Sequence, residues 1–232
     1  MATIHYNAYM FLVSTIYKTI LDSLFPFSAA EKEMLSMRPE DALKLLPHAP
    51  DYSGLAFKSE NMKSVFAYKD ERVSKLIWHI KYKKSVHAVR IGGYALWAKL
   101  TTTTGSGNEV VVIPMPITSR RRKERGYNQC ELLLDEIERL EKEVGERRFI
   151  FKKDILIRTH HAERQTLKRR AERVEDAKGV FGVNVDAVTE ELKQMPVIII
   201  DDVITTGSTL YEAIETIKKA GFTNVHGLSL AH

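Results

Sequence analysis

Cysteine occurs once in the 232 residues, at Cys130, so neither an intramolecular disulfide nor a cysteine-cluster metal site can form. A reducing, cytoplasmic setting is the easier fit. Long uninterrupted apolar runs are scarce as well. The stretch Tyr9 to Phe27 is broken by Lys18 and Asp22, no basic cluster precedes it, and no small-residue cleavage site follows. Its Val13, Ile16, Tyr17, Ile20, Leu21 and Leu24 fall at helical spacing, which predicts an amphipathic packing helix and no membrane insertion. Neither G-x-G-x-x-G nor G-x-x-x-x-G-K-[ST] occurs, so a generic dinucleotide or P-loop nucleotide binder lacks its phosphate loop. Charge of one sign is in small excess only. Against 30 acidic residues stand 35 Lys and Arg, a net +5 that suits an anionic ligand or a nucleic acid without demanding either.

What is present is ordinary core material, 44% apolar residues, enough for one large domain and a small appendage. Residues 1–60 are expected to form a helical appendage, with a second helical run from Ala29 to Leu46 that Arg38-Pro39 can break. The main domain, 61–232, opens with a short strand at Val65 to Tyr68 and a helix from Arg72 to Tyr82 carrying Val73, Leu76, Ile77 and Ile80 on one face. A helix over Val86 to Leu100 and a loop at 101–108 come next. Strands at Val110 to Ile113, Ile155 to Ile157, Val197 to Ile200 and Val225 to Leu230 then alternate with helices at Asn128 to Val144 and Leu210 to Lys219. That order predicts an α/β fold, an open and mostly parallel sheet with helices on both faces.

The most informative segment is VIIIDDVITTGST, Val197 to Thr209, a buried strand running into a helix. In open α/β sheets, ligands sit beyond the carboxyl ends of strands. Asp201 and Asp202 can accept hydrogen bonds from vicinal hydroxyls, as on a ribose. Thr205, Thr206, Gly207, Ser208 and Thr209 offer hydroxyls and backbone amides at a helix N-terminus, a phosphate cradle. Gly207 lets the backbone approach a phosphate closely. The plain alternative for two acids at a strand end is a solvated turn or a helix cap.

This pattern resembles the phosphoribosyl pyrophosphate (PRPP) motif of type I phosphoribosyltransferases. Three further stretches narrow the resemblance to the ComF family: SVFAYKDERVSKLIWHIKYKK, which ends in the Lys81-Tyr82 step, VVIPMPITSRRRKERGYNQC, and RQTLKRRAERVEDAKGVF. The similarity runs from about Leu21 to the C-terminus, and the shared signature residues are Lys81, Gly126, Tyr127, Asn128, Gln129, Gln165 and Arg173. Two departures stand out. The family commonly carries a zinc ribbon after Leu-Phe-Pro, but 27–35 contains no cysteine, so no zinc is expected. The family's usual Asn is Asp176 here.

The resemblance implies a protein that binds PRPP with Mg²⁺, the metal held through the ligand and by no protein-only ligand set. It implies transfer of phosphoribosyl to an acceptor, with release of pyrophosphate. Asp201 and Asp202 would be the catalytic acids, with Thr205 to Thr209 on the 5-phosphate. Met115, Pro116 and Ile117 would hold diphosphate through their backbone, with Arg120, Arg121, Arg122, Lys123 and Arg125 beside them. The plain alternatives are a turn stiffened by Pro114 and Pro116 for the loop, and a solvated charge for each arginine taken alone. A second basic tract, Arg158 to Arg173, is either a lid, a nucleic-acid contact or an exposed surface. His160 and His161 have no partner for a metal, and Cys130 is expected to be packed rather than nucleophilic. The alternative function is a non-catalytic PRPP or nucleotide sensor, or an adaptor for single-stranded DNA during transformation. Single-stranded DNA, competence proteins and a second copy as a homodimer are the partners the resemblance admits.

Overall fold

The apolar tetrad that precedes the two acids lies in the middle of a sheet. The computed structural model describes residues 27–49, 61–104, 109–159 and 179–232. In chain order these form α1 (Ala29–Ser36), α2 (Pro39–Leu45), β1 (Met62–Phe66), α3 (Glu71–Trp78), a π turn (His79–Lys83) and α4 (Val86–Thr104). There follow β2 (Val110–Pro114), α5 (Ser119–Arg125), α6 (Gln129–Val144), β3 (Phe149–Phe151), β4 (Leu156–Arg158) and β5 (Phe181–Val183). A 3₁₀ turn (Val185–Ala187), α7 (Glu190–Lys193), β6 (Val197–Val203), α8 (Ser208–Lys219) and β7 (Val225–Ala231) complete them. The helix expected at Tyr9 to Leu24 and residues Gln165, Arg173, His160, His161 and Asp176 lie outside the described residues.

Five strands pair in parallel in the order β1-β7-β6-β2-β3. Alternation along each strand divides its apolar side chains between two faces. Val110, Val112, Ile198 and Ile200 join the core under α3, α4 and α6, together with Met34, Ala42 and Leu46 of the N-terminal helices. Val111, Ile113, Val197 and Ile199 join the other core, closed by Leu210, Ala213, Ile214 and Ile217 of α8. With both faces covered, β2 and the first four residues of β6 have no use for polar side chains, hence their unbroken apolar runs.

From β2 the chain moves outward to β3, and from β6 it moves the opposite way to β7. The boundary between β2 and β6 is therefore the switch point of the sheet, where a crevice opens at the strand carboxyl ends. α8 is seated tightly over β6 and β7, beside that point. A Cβ at Gly227 would meet the Leu210 side chain at 2.5 Å, so only glycine lets the first turn of α8 lie on β7.

One sequence expectation is met and two shift. Pro39 does split the 29–46 run, because it starts α2 at the position where its missing N–H costs nothing. The strand expected at Ile155 to Ile157 lies at Leu156–Arg158 and pairs antiparallel with β5 in a separate ribbon. Phe149–Phe151 takes the sheet position beside β2. Finally, the helix expected over Arg72 to Tyr82 ends at Trp78 and continues as one π turn, closed by Lys84 at φ 48°. Apolar spacing does not distinguish i+4 from i+5 hydrogen bonding, and the wider turn redirects everything after Trp78.

Candidate ribose-phosphate site at the sheet switch point

The crevice between β2 and β6 collects the segments singled out in the sequence. Met115 to Thr118 leaves β2 as an irregular loop whose Met115 N–H donates to the Ile200 carbonyl at 2.8 Å. Opposite it, β6 ends in Asp201 and Asp202, whose side chains leave on opposite faces.

Asp201 turns toward α6. Its Oδ1 accepts from the Asp202 N–H at 2.8 Å and lies 3.7 Å from Cys130 Sγ. Burial, and next the neighbouring Asp202 carboxylate, push the Asp201 carboxyl up to about 7, while the Asp202 N–H, Lys81 and the thiol pull it back. Cys130 is fully buried, and burial followed by the two acids drives its thiol well up. It is a packed, protonated side chain at neutral pH, not a nucleophile.

Asp202 turns the other way and meets the Lys81 ammonium at 3.1 Å through Oδ1. Its Oδ2 is buried and accepts no hydrogen bond. Such an oxygen is costly to leave unsatisfied, so it suits a donor arriving with a ligand. Cys130, Asp201 and Asp202 each place one potential ligand atom within 4.8 Å of the others. A protonated thiol and a carboxyl titrating near neutrality do not make an oxygen cage for magnesium. The donor set fits a sugar hydroxyl better than a protein-held cation.

Beyond β6 the chain bends through Thr205, Thr206 and Gly207, and α8 starts at Ser208. Gly207 sits in the left-handed region at φ 83° and leaves the helix without a side-chain cap. First-turn amides, the Thr206 and Ser208 hydroxyls 3.0 Å apart, and the helix dipole converge on one spot.

The Arg-Gly-Tyr-Asn-Gln segment is a scaffold for this crevice. Tyr127 Oη donates to the Ile80 carbonyl at 3.0 Å and accepts from the Lys84 N–H at 3.2 Å, thereby clasping the π turn that carries Lys81. Asn128 Nδ2 donates to the Met115 carbonyl at 3.0 Å, while its Oδ1 caps α6 through the Cys130 N–H at 3.0 Å. Gln129 is buried and accepts from Arg125 Nη1 at 2.9 Å, and the Arg125 guanidinium lies 5.0 Å from the Tyr82 ring centre. Gly126 supplies the left-handed C-cap of α5.

The basic run forms α5 rather than an open loop. Arg120 pairs with Glu124 at 2.7 Å and Arg122 with Glu131, so part of the charge is spent locally. Arg158 at the end of β4 comes closer to the crevice than its sequence neighbourhood suggests. Its guanidinium stacks 5.1 Å from the Phe181 ring centre, and its Nε is buried without a partner. Burial and the nearby Arg121 lower its proton affinity, while Glu212 and Asp201 raise it. Arg158 of β4 thus lies within electrostatic reach of both Asp201 and Arg121 of α5. Nothing in the sequence joins 121 to 158, which are 37 positions apart.

Residues 158–231 match the phosphoribosyl transferase domain family, a span that contains the whole of β6, the turn and α8. Over 120 residues the chain is 32% identical to Competence protein F of Haemophilus influenzae, covering 52% of this chain and 49% of that protein. Over 111 residues it is 31% identical to Competence protein ComFC of Bacillus subtilis, covering 48% of this chain and 39% of that protein. The matches thus span about half or less of the curated relatives. Among solved structures, the chain is similar to an adenine phosphoribosyltransferase from Thermoanaerobacter pseudethanolicus, with 14% identity, 84% of this chain, 99% of that chain and a TM-score of 0.38. It is also similar to the Giardia lamblia APRTase complexed with 9-deazaadenine, with 18% identity, 84% and 85% coverage and a TM-score of 0.36.

Proposed function

We propose that this ComF-like chain, carrying a phosphoribosyl transferase domain, binds PRPP with Mg²⁺ in the β2–β6 crevice and transfers its phosphoribosyl group to an acceptor. The observation that carries the reading is the acid pair on a strand end beside an uncapped helix N-terminus, with a buried, unsatisfied Asp202 Oδ2 between them and Lys81. Asp201 and Asp202 would take the two ribose hydroxyls, and residues Thr205 to Thr209 the 5-phosphate. The diphosphate would lie toward the Met115-Pro116-Ile117 backbone, with the basic side chains of α5 and Arg158 to meet its charge.

Magnesium, carried by the diphosphate and ribose oxygens, would supply charge to the leaving group. The chain's own part is positioning. Asp202 and Asp201 would fix the sugar, and Lys81 would hold the Asp202 carboxylate in place through its ion pair. The α8 amides anchor the far phosphate, so that C1 faces the acceptor side of the crevice. The C1–O bond breaks with its electron pair leaving on diphosphate. The acceptor lone pair forms the new bond to C1, and the acceptor's proton passes to water. The competence role named for the two relatives comes to this chain as part of the same proposal.

Calorimetry with PRPP-Mg²⁺ tests the reading. The native chain should bind, and the Asp201→Asn/Asp202→Asn variant should lose affinity by about a hundredfold or more, as expected for two charge-assisted contacts. Absence of binding by the folded native chain would overturn it.

A further inference from the structure

A π turn is an unfavourable way to continue a helix, and this one closes on a second unfavourable feature. Lys84 at its end lies in the left-handed region at φ 48°, where the Cβ crowds its own backbone. Such a turn persists only where its surroundings determine it. Two sets of contacts do so here. Tyr127 holds the Ile80 carbonyl and the Lys84 N–H. The other set reaches the first residue of the turn, His79, from Glu31 of α1, 48 positions upstream.

The His79 ring is 4% exposed and packs against Phe27, 5.9 Å between ring centres, and edge-on against Trp78 at 5.2 Å. Its Nε2 lies 3.1 Å from Oε1 of Glu31, a side chain that is itself buried. A carboxylate only accepts, so Nε2 carries the proton and donates it. The other Glu31 oxygen accepts from the Ser28 N–H at 3.1 Å and pairs with Lys75 at 3.3 Å. Burial pushes the Glu31 carboxyl up, but Ser28, His79 and Lys75 together hold it below its ordinary value, so it is ionised at neutral pH. Burial also lowers the proton affinity of His79, against the pull of Glu31, and the ring is neutral there.

A buried charged contact of this kind adds little stability over an apolar pair of the same size, because the carboxylate must be stripped of water. What it adds is direction, since a hydrogen bond fixes the ring where apolar packing would let it slide. The direction is passed on two residues later. Lys81, carried by the same turn, reaches Asp202 Oδ1 at 3.1 Å. We propose that Glu31 and His79 are positioning residues for the acid pair: through the first residue of the π turn, α1 sets where Lys81 meets Asp202. The consequence for PRPP rests on the proposed function; the placement of Lys81 does not.

The test is a double-mutant cycle. PRPP-Mg²⁺ binding is measured by calorimetry on Glu31→Ala and His79→Leu, each alone and combined with Lys81→Met, at a temperature where thermal scans show every chain folded. Each should weaken binding by about threefold or more in the native background and add nothing beside Lys81→Met, as expected of residues that act through one another. His79→Gln, which keeps a donor toward Glu31, should restore most of the affinity. Without ligand, the Asp201 carboxyl is followed by NMR across pH. Lys81 pulls that titration down, so Glu31→Ala and His79→Leu should move it up, with no further rise when combined with Lys81→Met. Should Glu31→Ala not fold, His79→Leu, which leaves Glu31 paired with Lys75, carries the test. A lower melting temperature with affinity and titration both unmoved overturns the inference, because the pair is then structural only. A loss of affinity that adds in full to that of Lys81→Met overturns it too. If the folded native chain binds no PRPP, the proposed function fails, and the Asp201 titration alone decides the role of the pair.

Discussion

Two adjacent acids acquire different chemistry because a strand sends neighbours to opposite faces. Asp202 meets a lysine, while Asp201 meets a buried thiol and the Asp202 amide. The consequence for stability has a sign. Asp201 in the folded chain holds its proton up to about 7, against an ordinary value of 3.8, so the folded state binds more protons across that window. Stability should fall as pH rises through it. Asp201→Asn should remove the fall. By pH 8 its melting temperature should exceed that of the native chain by about 2–4 °C or more, and the gap should close near pH 4. A gap independent of pH in a calorimetric series would overturn the raised titration of Asp201. Lys81→Met removes the ion-pair partner of Asp202, and should weaken PRPP binding by about tenfold or more while shifting the Asp201 titration further upward.

At the scale of elements, the π turn and the α5–α6 junction work as a clasp. Tyr127 grips both ends of the turn that delivers Lys81, and Asn128 grips the loop after β2. Tyr127→Phe keeps the ring but deletes two hydrogen bonds. It should cost about 1–2 kcal/mol in denaturant unfolding and lower PRPP affinity several-fold. If affinity is unchanged, the clasp does not position Lys81. The start of α8 has its own constraint. Gly207 at φ 83° tolerates no Cβ without strain, so Gly207→Ala should cost about 1–2 kcal/mol and, if the turn holds a phosphate as proposed, weaken PRPP binding. Elements with regular spacing were legible in the sequence: β2, β6, α6, α8 and β7 lie within a few residues of their expected bounds. The π turn, the short α5 and the β4–β5 ribbon were not. A π turn carries the same apolar spacing as a helix, and three-residue strands carry almost no periodicity.

Across the whole molecule, the N-terminal helices share a core with the sheet. Met34 and Leu46 are buried in one cluster with Phe66, Leu76 and Leu100, and Glu31 pairs with His79 just before the π turn. If residues 27–49 are part of the same cooperative unit, Met34→Ala should lower one unfolding transition by about 2–5 kcal/mol. Two separable transitions would instead mark the first sixty residues as an independent appendage. Among the described residues no helix is long and apolar enough to cross a membrane.

The strand-to-helix segment from Val197 to Thr209 with its two acids, the alternating order of strands and helices, and the basic run were all determined by the sequence alone. Each is a local pattern, in which the identity of a residue and its neighbours suffices. Tertiary structure alone decided that Lys81 reaches Asp202, that Tyr127 holds the turn carrying it, and that Arg158 comes near Arg121. These pairings join residues tens of positions apart through the switch of strand order and one widened helical turn. A one-dimensional pattern carries no term for either, because both depend on how the two faces of the sheet are covered.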